Sequence, residues 1–95
     1  MSRNYRLSKR ADIGLNNIWR GIAAENVVAA DALYLRILDK IERAAGYPES
    51  GSPRPNIGRN VRMLVEGNYN IYYIPGKQGI LITAIVHSKR LPANR

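Results

Sequence analysis

The chain has no cysteine and a single histidine among its 95 residues. Without thiols there is no disulfide framework and no thiolate nucleophile, and a zinc site built from Cys and His ligands is excluded. Acidic residues are scarce: seven Asp and Glu stand against fifteen Lys and Arg, a formal net charge of +8. No apolar run approaches the roughly 20 residues that a membrane-spanning helix needs. The opening residues Met1-Ser2-Arg3-Asn4-Tyr5-Arg6 lack the apolar stretch of a secretory signal. These absences point to a cytoplasmic protein without metal or cofactor, and the length suits one domain, 1–95, rather than two.

What is present is an ordinary globular composition, 45% apolar with interspersed charge, which argues against a disordered tail. The excess of cations implies an anionic partner: nucleic acid, an acidic protein or an acidic membrane surface. Eleven of the fifteen cations are arginine, whose planar fork suits carboxylate and phosphate.

Periodicity divides the chain into elements. Tyr5-Arg6-Leu7 is a short strand candidate, and Ser8 after it is a good helix N-cap. Ala11, Leu15, Ile18, Trp19 and Ile22 then recur at helical spacing, predicting a helix over about 9–25. Gly14 and Gly21 lie inside it, each costing up to about 1 kcal/mol relative to alanine, so this helix depends on tertiary packing. Asn26 either ends it or caps the next. Ala30, Leu33, Tyr34, Ile37, Leu38, Ile41, Ala44 and Ala45 make a second amphipathic stripe. Asp31 near its start and Arg43 near its end suit the helix dipole; Gly46 fits the residue just past the end, and Pro48 stops the helix. A joint this short favours an antiparallel helical hairpin. Residues 47–58, rich in Pro, Gly and Ser, read as a loop. Val61–Glu66, Tyr69–Ile74 and Ile80–His87 read as strands, with a two-residue turn at Gly67-Asn68 and another at Pro75–Gly79. The resulting order, β-α-α-β-β-β, is an α+β fold with a helical hairpin packed on a C-terminal three-stranded antiparallel sheet.

Turn positions suggest the pairing. Glu66 opposite Tyr69 places Arg62 opposite Tyr73; Ile74 opposite Ile80 places Tyr69 opposite Ile85. Alternation then sorts the strands into two faces. One holds Arg62, Leu64, Glu66, Tyr69, Ile71, Tyr73, Leu81, Thr83, Ile85 and His87. The other holds Val61, Met63, Val65, Asn70, Tyr72, Ile74, Ile80, Ile82, Ala84 and Val86. Both are largely apolar and only one can pack on the helices, so the other is left for a partner. General acid–base chemistry is open only to the first face, through Arg62, Glu66 and His87.

The runs Leu7-Ser8…Ala11…Leu15…Ile18-Trp19 and Ala30…Ile37…Ile41, with Pro48, Gly51 and Pro55 after them, resemble ParE-type toxins of the RelE/ParE superfamily. So do Val61-Arg62…Leu64…Gly67…Tyr69-Asn70-Ile71-Tyr72-Tyr73 and Ile82…Ile85-Val86-His87…Arg90. The resemblance covers nearly the whole chain. It implies the toxin of a bacterial type II toxin–antitoxin module that inhibits DNA gyrase and is neutralised by a ParD-like antitoxin in a hetero-oligomer. RelE-like relatives instead cut mRNA on the ribosome, which makes a ribosome-dependent endonuclease the alternative, with Arg62, Glu66 and His87 as its candidates. The family places bulky residues where Leu64, Tyr69, Ile71, Tyr73 and Ile85 stand, which implies that the first face is core and the second open. The sequence departs from the family at Gly14, where an acidic residue is usual.

On that reading Met63, Tyr72, Ile82 and Ala84 are contact candidates on the open face, and Arg59, Arg62, Lys89, Arg90 and Arg95 are candidates for an acidic antitoxin or for the target. Each has a plainer reading. His87 at a strand end is a hydrogen-bonded structural residue, Arg62 a loop anchor, Trp19 part of the helical core, and the basic exit a solvated tail. No recognition helix, RNP-like aromatic pair or basic helix is present, so specific nucleic-acid binding by the chain alone is not expected, nor is membrane binding.

Overall fold

The computed structural model describes residues 4–90. In chain order the elements are β1 (Tyr5–Leu7), α1 (Lys9–Ala23), α2 (Val27–Gly46), β2 (Ser52–Pro53), β3 (Arg62–Glu66), β4 (Tyr69–Gly76) and β5 (Gly79–His87). The expected order holds with one addition. Ser52–Pro53, inside the stretch read as loop, pairs with Arg62 and Met63 as a short edge strand. Four strands therefore follow the helices, in a five-stranded sheet of order β1-β5-β4-β3-β2. β1 runs parallel to β5, and every other pair is antiparallel.

Ser8 joins β1 to α1. Its Oγ accepts from the Ala11 N–H at 3.1 Å and donates to the Thr83 carbonyl at 3.2 Å, so one hydroxyl caps the helix and ties it to β5. Asn26 caps α2 by accepting from the Ala29 N–H at 2.9 Å. The cap starts α2 at Val27, ahead of the apolar stripe, so its first turn carries no acid. Asp31 serves elsewhere: it accepts from the Trp19 indole N–H at 2.8 Å across the hairpin. Trp19 is accordingly half-buried and bridging rather than core. Gly46 is the last residue of α2, with Tyr47 as its cap at φ −138°.

Ala11 and Leu15 of α1, with Leu33, Ile37, Ile41 and Ala44 of α2, close over Ile71, Tyr73, Ile80, Ile82 and Ile85 of the sheet. Each fully buried Ile or Leu contributes about 1.5–3 kcal/mol. The glycine at position 14 has a reason in this packing. A Cβ there would lie 2.6 Å from the Ile85 carbonyl oxygen, so only glycine lets α1 approach β5 this closely. Gly21, two turns on, has nothing within 4 Å of that point.

The β3–β4 register is as expected, from Glu66 opposite Tyr69 to Arg62 opposite Tyr73. The β4–β5 register is not. Gly76 pairs with Gly79, leaving Lys77-Gln78 as a two-residue turn, and Ile74 pairs with Leu81 rather than Ile80. Gly79 supports that tighter turn at φ +127°. A one-residue slip exchanges faces: Ile80 and Ile82 turn to the helices, and Leu81 joins Ile74 on the other side. Between Tyr72 and Tyr73 the register shifts again. This bulge leaves Thr83 unpaired and restores the expected faces for Ala84, Ile85, Val86 and His87.

Candidate partner-binding site

The helix-covered face is the one holding Leu64, Tyr69, Ile71, Tyr73 and Ile85, as the family pattern implies. The outer face carries a small core of its own: Val61, Tyr72 and Ala84 are buried there, with Ile57, Met63, Ile74 and Val86 packed around them. Their cover is the segment before β3, folded back over the sheet. Arg54 N–H donates to the Val61 carbonyl at 2.8 Å, and Ile57 N–H to the Arg54 carbonyl at 2.9 Å.

This changes the contact candidates. Ile82, expected on the open face, is 0% exposed in the helix-side core because of the register slip. Tyr72 (3% exposed) and Ala84 (1%) lie on the outer face as expected but form its floor, so a partner cannot reach them directly. Met63 remains half-buried at the surface with Ile74 and Val86, and Val65 is 48% exposed. Alternation had already put Val65, Ile74 and Val86 on this face. What it lacked was the fold-back of Ile57, a lone apolar residue in a loop, which decides which residues are covered.

Arg62 sits at the sheet edge as a loop anchor. Its Nη1 donates to the Glu49 carbonyl at 2.9 Å and the Gly51 carbonyl at 2.6 Å. Beside it the buried Tyr73 hydroxyl donates to the Pro48 carbonyl at 2.7 Å and accepts from the Gly51 N–H at 2.9 Å. Four hydrogen bonds from two side chains thus hold residues 48–51 in one conformation. A Cβ on Gly51 would meet the Tyr73 ring and hydroxyl at 2.7 Å, so glycine is needed for the chain to pass over them.

Glu66 and His87 lie at the opposite end of the sheet, one on each side of Tyr69. Arg36 of α2 donates from Nε to Glu66 at 3.1 Å. His87 meets the Tyr69 ring edge-on at 5.5 Å between centroids. Its Nδ1 accepts from the Lys89 N–H at 3.1 Å and its carbonyl from the Arg90 N–H at 2.9 Å, so the neutral ring carries its proton on Nε2. His87 thereby shapes the chain's exit. Arg62 is four residues along β3 from Glu66, about 13 Å, and is engaged with carbonyls. The three candidates for acid–base chemistry are not brought to one point.

Charge is unevenly placed. Residues 9–46, the helical layer, hold six cations and five anions; the other described residues hold seven cations and two anions. Arg59, Lys77, Lys89 and Arg90 have no carboxylate within ion-pair distance among the described residues. Arg95 lies outside the described residues. No group of residues that could hold a metal ion is found among the described residues, and no described helix is long and apolar enough to cross a membrane. The helical layer also has exposed apolar residues: Val28 (79% exposed) and Leu35 (65%), seven apart on α2.

Fold and site together define a small α+β fold with one sheet face closed by a helical hairpin and the other left partly open. The family model for the ParE toxin of the type II toxin–antitoxin system parDE matches residues 5–92. Toxin ParE1 of Caulobacter vibrioides is 31% identical over 91 residues, covering 95% of each chain. A solved structure of the chromosomal ParDE TA system from P. aeruginosa has the same fold, with a TM-score of 0.75 over 88% of this chain and 94% of that one, at 16% identity. The chain belongs to the ParE toxin family of type II toxin–antitoxin systems.

Proposed function

We propose that residues 1–95 form one toxin domain that acts in the cytoplasm by binding DNA gyrase, without catalysis of its own, and that a ParD-like antitoxin neutralises it. The family match over residues 5–92 carries this reading. The geometry supports a contact mechanism. Met63, Val65, Ile74 and Val86 offer apolar area on the outer face, and the net positive charge attracts an acidic partner over distance. The antitoxin segment that fits is acidic and amphipathic, ordering as it binds. The candidates for the ribonuclease alternative, Arg62, Glu66 and His87, are each engaged in the fold: Arg62 holds loop carbonyls at the far end of β3, Glu66 pairs with Arg36, and His87 is used in the exit turn.

The test is a gyrase assay with purified protein. The expected result is lost supercoiling or accumulated cleaved plasmid, reversed by the antitoxin. Full gyrase activity at saturating protein, with toxicity to cells intact, would sink the gyrase reading. Cleavage of ribosome-bound mRNA would replace it with the nuclease.

A further inference from the structure

Pro48 and Glu49 of the anchored segment form one wall of a cleft of about 610 Å³ at the β2–β3 edge. Pro48, Pro53, Pro55 and Pro75 line it, and its polar groups are Glu49, Asn60 and Arg62. Four prolines with fixed φ make rigid walls. Asn60 holds the turn into Val61 at φ +64°, in the left-handed region that asparagine tolerates better than most residues. The hydrogen bonds of Arg62 and Tyr73 fix Pro48 and Glu49 in that wall before any partner arrives. Arg62 spends Nη1 on the two carbonyls, leaving the rest of its donor fork for a ligand. Three more cations adjoin the lining: Arg54 between Pro53 and Pro55, Arg59 before Asn60, and Lys77 after Gly76. Glu49 is the one anion in the lining.

We infer that this cleft is the surface by which the toxin grips its target, and that it receives an extended acidic protein segment. The inference rests on the gyrase reading and adds the site to it. Rigid proline walls suit a peptide carrying Asp or Glu between apolar side chains better than a phosphate backbone, which has no apolar groups to set against them. The choice of target over antitoxin follows from chemistry. Neutralisation needs tight binding, which the apolar outer face can supply; a small, preformed, charged cleft suits an electrostatically steered encounter.

The experiment compares wild type, the double variant Arg59→Glu/Lys77→Glu, and Glu49→Gln. Each is measured for the concentration that half-inhibits gyrase supercoiling, for affinity to the cognate antitoxin, for binding to duplex DNA alone, and for its unfolding temperature. Arg59, Lys77 and Glu49 are all exposed, and none of their side chains takes part in the Arg62–Tyr73 clasp. The double variant is expected to need roughly tenfold more protein, and Glu49→Gln less than wild type, with unfolding temperature unchanged and antitoxin affinity reduced by a clearly smaller factor. Equal inhibition by wild type and double variant overturns the assignment while leaving the gyrase reading intact. A parallel loss of antitoxin affinity reassigns the cleft to the antitoxin. Wild-type duplex binding that the double variant loses reassigns it to nucleic acid. A wild type that leaves gyrase untouched overturns the functional reading, and the cleft with it.

Discussion

The two faces of the sheet are built from similar residues and end in different states. On the helix side Ile71, Tyr73, Ile80, Ile82 and Ile85 are closed over by Leu15, Ile37 and Ile41, all of them at most a few per cent exposed. On the outer side only Val61, Tyr72 and Ala84 are buried, under a fold-back whose one apolar contribution is Ile57. Residue type hardly separates the faces; cover does. Two amphipathic helices complete a core, whereas a proline-rich segment tied down by hydrogen bonds completes half of one and leaves Met63, Val65, Ile74 and Val86 at the surface. The charge follows the same division, nearly balanced in the helical layer and strongly positive elsewhere. Burial is concentrated on one side, and exposed apolar area is left on the other.

That contrast can be attacked from its strongest point downward. Ile82→Ala removes a fully buried side chain from the helix side, and urea unfolding should show a loss of about 2–5 kcal/mol. A loss under 1 kcal/mol would return Ile82 to the open face. Gly14→Ala forces a methyl against the Ile85 carbonyl and should destabilise by about 1–3 kcal/mol in the same assay, since α1 must move off β5. Tyr73→Phe leaves the Pro48 carbonyl and Gly51 N–H without their partner. It should cost about 1–3 kcal/mol and speed hydrogen exchange at Gly51, while amides of α2 keep their protection. Gly21→Ala is the mildest and has the opposite sign. With open space at that site and helical backbone, it should stabilise by about 0.4–1 kcal/mol, read as a small rise in melting temperature. Opposite signs at two glycines of one helix would show that α1 meets the sheet closely at one end only.

Much of this was legible in the sequence. The helical stripes, the Ser8 and Asn26 caps and the Gly67-Asn68 turn are local signals, and they placed both helices and the β3–β4 hairpin. The second hairpin is not fixed by its local sequence, because Pro75–Gly79 allows more than one turn length, and one residue reverses a strand's faces. The bulge at Thr83 then restores the faces from Ala84 onward, so Ile80 and Ile82 move from the face expected to be open to the helix-side core. Gly14 looked like a local weakness; its value depends on a carbonyl 71 residues away, which no local pattern contains. The clasp by Arg62 and Tyr73 was only partly readable. Arg62 as a loop anchor was one of two readings, while the Tyr73 hydroxyl's partners sit across a proline-rich segment with no periodicity to place them. The same long-range fold-back buried Tyr72 and Ala84.

The account's central claim, that the outer sheet face is where the antitoxin sits, faces a rival on the helical layer, where Val28 and Leu35 of α2 are exposed. Methyl NMR of the labelled toxin titrated with its cognate antitoxin separates them. The account expects Met63, Val65 and Val86 to shift and broaden while Val28 and Leu35 keep their positions. Shifts confined to Val28 and Leu35, with the sheet methyls unmoved, would contradict it.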